Sequence, residues 1–182
     1  SNDKETSVNL PSRPIYIAAN RYNIRSADRA LGVLFDYLET HFNDDEYIVH
    51  LYSDHGVPVY ESEPYLTSEK QAGAALMMRG GGIPVRGIVE ELTSGVDIYN
   101  IAAHNVGFPV GENVDGSLPA ALGGQEREYV ITNSIYPGKP YELGIRTQTH
   151  EFRLSSEHIV SMDGTVDLDG AKMALWRRTL TH

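Results

Sequence analysis

The chain has 182 residues, of which 41% are hydrophobic, and this length favours one domain or one domain with a small appendage. Its 25 acidic residues against 15 basic ones give a formal net charge of -10, which repels nucleic-acid backbones and anionic lipid surfaces. The sequence contains no cysteine and no apolar run long enough to span a membrane, so it predicts no disulfide, no thiolate metal site and no membrane segment in this chain.

The first half of the chain alternates between helical and extended patterns. Residues 1–14 are polar and rich in proline, which predicts a flexible lead-in or a cloning remnant. From Ile24 the apolar residues recur at steps of three and four, and this spacing predicts an amphipathic helix that ends by Asn43. Residues 47–52 are rich in β-branched and aromatic side chains and predict a buried strand.

Residues 74–78 form a second apolar run, which predicts a strand that ends in the turn Gly80-Gly81-Gly82. Residues 85–89 suggest a further short strand. Residues 96–105 predict a helix, and Gly107 is placed to end it in the left-handed conformation.

The last third of the chain has the period of β-strands. Short alternating segments separated by turn residues predict a small antiparallel sheet, and they lie at residues 129–135, 143–147, 151–154 and 158–161. The fold class is therefore α/β. We expect a parallel-type sheet with flanking helices over residues 15–125 and an antiparallel subdomain over residues 126–182.

The string Ser53-Asp54-His55-Gly56 directly follows the predicted buried strand. Ligands of open α/β sheets collect at the carboxyl ends of strands, and a carboxylate beside an imidazole is a plausible pair of metal ligands. The alternative is a turn in which Asp54 accepts local backbone hydrogen bonds and His55 is half exposed. The residues alone leave both interpretations open.

Lys70 precedes the second apolar run and could neutralise a sulfate or phosphate oxygen beside a metal. By base rate, a solvated surface lysine near Glu69 is the more common situation. His41, His50 and His104 lack an acidic partner at ligand spacing, and we expect structural or surface roles for them. His150 could reach a cleft from a hairpin, but a histidine at a hairpin tip is usually exposed, and that is the role we expect for it. No Gly-x-Ser-x-Gly elbow is present, so an ordinary serine hydrolase is not indicated.

In chain order these motifs resemble the C-terminal half of sulfatases of the alkaline phosphatase superfamily. The resemblance includes Ser53-Asp54-His55-Gly56 after a helix and a strand, and the lysine-bearing stretch that runs into Arg79-Gly80-Gly81-Gly82-Ile83-Pro84. It continues through Gly107-Phe108-Pro109, Asn113-Val114-Asp115-Gly116-Ser117-Leu118 and Gly144-Ile145-Arg146-Thr147. The similarity implies a partial alkaline-phosphatase-like sheet.

The resemblance also implies roles for three residues. Asp54 and His55 would bind a divalent metal, commonly calcium in this family, and Lys70 would contact the sulfate. His55 stands where calcium sulfatases often have asparagine, which admits manganese or zinc as well. The implied substrate is a small sulfate ester or a sulfated glycan.

The family's nucleophile is a formylglycine matured from Cys or Ser in the N-terminal half, and the resemblance places it outside this stretch. We therefore expect a sulfuric ester hydrolase fragment that is inactive alone. Two alternatives stay open: a fragment of a phosphodiesterase, phosphonate hydrolase or phosphoglycerol transferase of the same superfamily, and a non-catalytic interaction module. Neither a compartment nor an oligomeric state follows from the sequence.

Overall fold

A computed structural model describes residues 13–57, 67–84 and 86–177 of the chain. The first helix, α1, spans Arg13–His41 and confirms the helix predicted from the apolar spacing. It begins earlier than that spacing required, with Pro14 in its first turn, where a missing N–H costs no hydrogen bond. Beyond its end, the Asn43 N–H donates to the Glu46 carboxylate at 2.7 Å, which closes the predicted polar turn.

The first two strands are β1, Ile48–Tyr52, and β2, Leu76–Gly80, as the sequence predicted. They pair antiparallel, with Ile48 opposite Gly80 and Tyr52 opposite Leu76. The expectation of a parallel-type sheet is therefore wrong for these two strands. The expectation that β1 is buried is also wrong, because its side chains are half-buried and Tyr52 is exposed.

Arg79 of β2 connects this sheet to α1. Its guanidinium forms an ion pair with Glu39 and lies 4.8 Å from the centre of the Phe35 ring. The Glu39 carboxylate raises the pKa of Arg79 through this hydrogen bond. One strand residue thus anchors the last turns of α1 by charge and by a cation–π contact.

The central region contains the short helix α2, Glu69–Ala72, and the helix α3, Ile98–Asn105, which follows a 3-10 turn at Gly95–Asp97. Gly107 has φ 69° and ends α3 in the left-handed conformation, as predicted. The prediction of a short strand at residues 85–89 is wrong for residues 86–89, which form no strand. Val85 lies outside the described residues.

Asp97 fixes the loop that follows α3 to the start of this helix. It is 1% exposed, and its carboxylate accepts hydrogen bonds from the Ser94 N–H at 2.8 Å and the Ser117 N–H at 2.9 Å. The same carboxylate pairs with Arg127, which also donates to the Ser117 hydroxyl. A buried charge is tolerated here because every contact to it supplies a donor.

The C-terminal residues form an antiparallel sheet in the order β3, β4, β5, β6, which confirms the predicted sheet. The strands are β3 Val130–Ser134, β4 Pro140–Arg146, β5 His150–Ile159 and β6 Lys172–Arg177. Two of the predicted segments, 151–154 and 158–161, belong for the most part to one continuous strand, β5. The sequence reading did not anticipate β6.

Much of the apolar surface of α1 is open to solvent. Its exposed side chains include Ile15, Tyr22 and Val33, which are 71%, 69% and 70% exposed. Fully buried side chains are instead found on α3, directly before α2 and directly after β5, at Ile101, Thr67, Ser68 and Val160. None of the helices within the described residues has the length and apolar character that crossing a membrane requires.

The first prediction concerns Asp97. Replacing it with alanine leaves Arg127 without its carboxylate partner and two N–H groups without their acceptor. We expect Asp97→Ala to lower the free energy of unfolding by about 3 kcal/mol, measured by urea denaturation. The exposed Asp115 is the control, because Asp115→Ala should change that free energy by no more than about 0.5 kcal/mol. Equal losses in the two variants would contradict the role given to Asp97.

The second prediction concerns His50 on β1. The Asn105 amide nitrogen lies 2.8 Å from His50 Nε2 and 3.7 Å from the Met78 sulfur, so the amide donates and Nε2 accepts without a proton. Burial lowers the pKa of His50 from its usual 6.5. The folded state therefore binds fewer protons than the unfolded state once the pH falls below 6.5.

The contribution of neutral His50 to the free energy of unfolding should consequently be fully present above pH 6.5. It should fall as the pH drops from there through the folded-state pKa, and below that pKa it should stop changing. Urea denaturation at a series of pH values measures the effect, and His50→Gln should remove this part of the slope. His41→Gln serves as the control on an exposed ring. A slope that is identical in wild type and His50→Gln would refute the assignment.

Candidate metal centre

The Ser53–Gly56 turn begins where β1 ends, and backbone hydrogen bonds fix it at both sides. The Ser53 N–H donates to the Ala75 carbonyl at 3.1 Å, and the Ala75 N–H donates to the Ser53 hydroxyl at 2.9 Å. At the other side the Gly56 N–H donates to the Gln71 carbonyl of α2 at 2.8 Å. The turn therefore lies between the approach to β2 and the helix that carries Lys70.

Gly56 is the residue that permits this close approach. A Cβ atom at this position would lie 2.0 Å from the Lys70 carbonyl oxygen and 2.7 Å from the Gly73 carbonyl oxygen. Both distances are far shorter than any non-bonded contact that a side chain tolerates. Only glycine lets the turn and α2 pack backbone to backbone.

The ring of His55 is oriented by the same turn. Its Nδ1 lies 2.7 Å from the Gly56 carbonyl oxygen, which can only accept, so Nδ1 carries the proton. The Gln71 amide nitrogen lies farther away, at 3.4 Å, and it can only donate, so the protonated Nδ1 bonds the carbonyl and not this amide. In the neutral ring the lone pair is then on Nε2, and a backbone carbonyl that holds the other ring nitrogen is the usual arrangement behind a metal-binding histidine.

Asp54 presents its carboxylate to that free nitrogen. Its Oδ2 lies 3.6 Å from His55 Nε2, and the two side chains are 86% and 54% exposed. Two ligands of one divalent cation, each about 2.0–2.6 Å from it, lie roughly 3–4 Å apart at adjacent positions. The pair therefore fits a shared cation. Asp54 Oδ1 also accepts from the His55 N–H at 2.9 Å, which is the contact expected of a simple turn.

Lys70 lies on the exposed side of α2. Its helix starts at Ser68, whose hydroxyl accepts from the Gln71 N–H at 3.1 Å. Because Gly56 contacts the carbonyl oxygens of this helix, the three residues predicted from the sequence lie on two segments in direct backbone contact.

The C-terminal sheet contacts the residue before the cap of α2, a feature that the sequence reading missed. The Thr67 N–H donates to the Glu142 carboxylate at 3.2 Å, and the Thr67 carbonyl accepts from the Arg146 guanidinium. A sequence signal was available: charged residues are separated by even numbers of positions within two neighbouring strands, Glu142 and Arg146 on β4 and Glu151 and Arg153 on β5. Such a pattern indicates a charged sheet face with a partner.

Within residues 13–57, 67–84 and 86–177 no group of three histidine or acidic residues is arranged to hold a metal ion. Asp54 and His55 therefore form a pair, and the described residues place no third histidine or acidic side chain beside them. His41, His50, His104 and His150 occupy the structural or surface positions expected of them. His41 stacks on Tyr37 with ring centres 4.2 Å apart, and His104 and His150 are exposed.

Comparison with known proteins decides the family. The profile of the sulfatase family matches residues 9–107, more than half of the chain. The chain belongs to the sulfatase family. Asp54, His55 and Lys70 all lie inside the matched segment of this sulfatase chain.

A solved structure supports the same fold. The crystal structure of a presumed sulfatase from Bacteroides thetaiotaomicron VPI-5482 superposes with a TM-score of 0.54 at 15% sequence identity. The match covers 71% of the 182-residue chain but only 29% of the Bacteroides chain. The predicted α/β fold of alkaline-phosphatase type is confirmed at this level. No curated protein matches the chain closely enough to count as a relative.

The third prediction concerns Gly56. Gly56→Ala forces a methyl group against two backbone carbonyl oxygens, so the turn and α2 must separate. We expect the free energy of unfolding to fall by about 1–3 kcal/mol, the usual cost of overpacking. Gly111→Ala is the matched control, since nothing lies within 4 Å of a Cβ atom there. If both variants unfold at the same urea concentration, the close contact at Gly56 is refuted.

Proposed function

We propose that this sulfatase-family chain is the C-terminal part of a metal-dependent sulfuric ester hydrolase, with Asp54 and His55 as metal ligands and Lys70 as the sulfate contact. The observation that carries the proposal is the contact between the Asp54-His55-Gly56 turn and the Lys70 helix. A sulfate group is small, so its ligands must come from segments that touch each other.

The Asp54 carboxylate and the His55 Nε2 atom would hold the cation. Calcium fits the family, and the imidazole donor also suits manganese or zinc. When bound, such a cation supplies a positive charge that stabilises the ester oxygens and lowers the pKa of a coordinated nucleophile. The chain's own contribution is to fix the ligands: the Gly56 carbonyl holds the His55 ring by its Nδ1 proton, and β1 fixes the turn.

Lys70 would offset the negative charge that develops on the sulfate oxygens. Its ammonium is a point charge on a flexible stem, so its useful position depends on where α2 is held. The overall charge of -10 does not oppose this role, because a local cation and a lysine can reverse the sign of the potential within one site.

The proposal includes an N-terminal half that supplies the formylglycine nucleophile and the remaining ligands. Three observations support it: the Asp54-His55 pair has no third histidine or acidic partner within the described residues, the match covers 29% of the Bacteroides chain, and the apolar surface of α1 is open. Exposed apolar patches of that kind are usually covered by a partner surface. On this proposal the 182-residue chain alone is catalytically silent.

One observation favours a second reaction class. His55 stands where calcium sulfatases often have the amide of asparagine, and an imidazole suits the zinc or manganese of enzymes that cleave phosphate diesters. A phosphodiesterase of the same superfamily is therefore the competing enzyme. The competing non-catalytic reading rests on the Asp54 to His55 N–H contact, which a simple turn would also make. Activity measurements on both ester classes separate the three.

The fourth prediction is made for the full-length protein that contains this chain. Loss of a metal ligand in Asp54→Ala, and loss of the charge in Lys70→Ala, should each lower kcat/KM for an aryl sulfate by roughly a hundred-fold or more. Asp115→Ala, which removes an exposed carboxylate elsewhere, should leave it unchanged. Added calcium or manganese should be required for the wild-type rate and should not restore Asp54→Ala.

Equal sulfatase activity in wild type and Asp54→Ala would remove Asp54 from the mechanism. Hydrolysis of an aryl phosphate diester in preference to the aryl sulfate would select the phosphodiesterase. If the full-length protein hydrolyses neither ester and Asp54→Ala binds metal as tightly as wild type, the residues form only a turn.

A further inference from the structure

The helix α2 cannot hold Lys70 in place by itself. It has four residues, fewer than an isolated helix needs for stability, and Ser68 caps its first turn. Its carbonyl end is fixed by the Gly56 N–H, but the turn that contains Gly56 is itself exposed. The position of Lys70 must therefore depend on what holds the amino end of α2.

That end is fixed by Thr67, which is completely buried, as is Ser68 next to it at 1% exposure. Glu142 accepts from the Thr67 N–H at 3.2 Å and from its hydroxyl at 3.4 Å. Arg146 donates to the Thr67 carbonyl. Two charged side chains of β4 thus bind both backbone polar groups of one residue, and hydrogen bonds to charged groups are the stronger kind.

The charged residues on this face of the C-terminal sheet support one another. Arg146 pairs with Glu151 at 3.0 Å and is itself buried, and Arg153 pairs with Glu142 at 3.3 Å. Glu142, Gly144 and Arg146 share one face of β4, because alternate strand residues point the same way. At the middle position a Cβ on Gly144 would come within 3.2 Å of the Thr67 Cβ atom, so a glycine leaves room for Thr67.

We propose that Glu142 and Arg146 are positioning residues for Lys70, through which the C-terminal sheet sets the place of the sulfate-contacting helix. The inference rests on the proposed function for the role of Lys70, and on the contacts to Thr67 for the position of α2. The two side chains act at a distance from the substrate. Their effect on catalysis passes through Thr67, Ser68 and α2.

A residue that only stabilises the fold would behave differently. Its loss would lower activity in proportion to the unfolded fraction, and would do so whether or not Lys70 is present. Loss of a residue that acts through Lys70 lowers the activity of the folded enzyme. The same loss causes no further decrease when Lys70 has already been replaced. The coupling between the two substitutions therefore separates the roles.

The activity test uses the full-length protein and the substitution Arg146→Lys, which keeps the charge beside Glu151 but loses the planar fork that reaches the Thr67 carbonyl. The control is Arg127→Lys, where the guanidinium pairs with Asp97 and not with Thr67. We expect Arg146→Lys to lower kcat/KM roughly ten- to a hundred-fold in protein that remains folded. It should cause no further loss in the Lys70→Ala background, while Arg127→Lys should give the same fold-change with and without Lys70.

Hydrogen exchange gives a second readout that needs no enzymatic activity. The N–H groups of Gln71, Ala72 and Gly73 are bonded within α2, and their exchange reports whether the helix stays formed. We expect Arg146→Lys and the isosteric Glu142→Gln each to speed their exchange about tenfold or more, with the amides of α3 unchanged. Arg127→Lys should leave exchange in α2 as it is in wild type.

The outcomes separate the two proposals. Faster exchange in α2 without any sulfatase activity in wild type would overturn the proposed function and keep the positioning of the helix. Unchanged exchange in both β4 variants, or equal losses of activity with and without Lys70, would overturn the positioning role even in an active sulfatase. If Arg146→Lys unfolds the protein, Glu142→Gln decides by the same criteria.

Discussion

The hydrogen bond from the Gly56 N–H to the Gln71 carbonyl, 2.8 Å long, joins the two segments on which the candidate site depends. It can form only because position 56 has no side chain, since a Cβ atom would lie 2.0 Å from the Lys70 carbonyl oxygen. The turn that makes this contact also uses the Gly56 carbonyl to orient the His55 ring. One glycine therefore couples the orientation of the His55 ring to the position of the helix that carries Lys70.

The candidate site therefore depends on segments that are far apart in the described part of the chain. The two-stranded sheet fixes the start of the turn, and the antiparallel C-terminal sheet fixes the start of α2 through Thr67. The C-terminal sheet thus helps to position the candidate site. It holds a buried residue next to a helix that is too short to stand alone, by charged groups whose partners lie on the neighbouring strand.

The sequence predicted those elements whose side-chain spacing is local. Local patterns predicted the helix α1 from its apolar period, the strand β1 from its β-branched residues, and the end of α3 from Gly107. Pairing was harder, because β1 meets β2 antiparallel across a long connection that no local pattern specifies. The pair Asp54-His55 was visible as a motif after a strand. The anchor at Thr67 was not, because residues 75 and 79 positions away along the chain provide its partners.

An anomalous difference map from manganese-soaked crystals of the full-length protein tests the proposed metal site at Asp54 and His55 most directly. We predict a peak about 2.0–2.6 Å from both a carboxylate oxygen of Asp54 and Nε2 of His55, with Nδ1 still bonded to the Gly56 carbonyl and the turn still seated on α2. A manganese peak held by other residues, or a His55 ring that binds through Nδ1 after the turn has left α2, would contradict it.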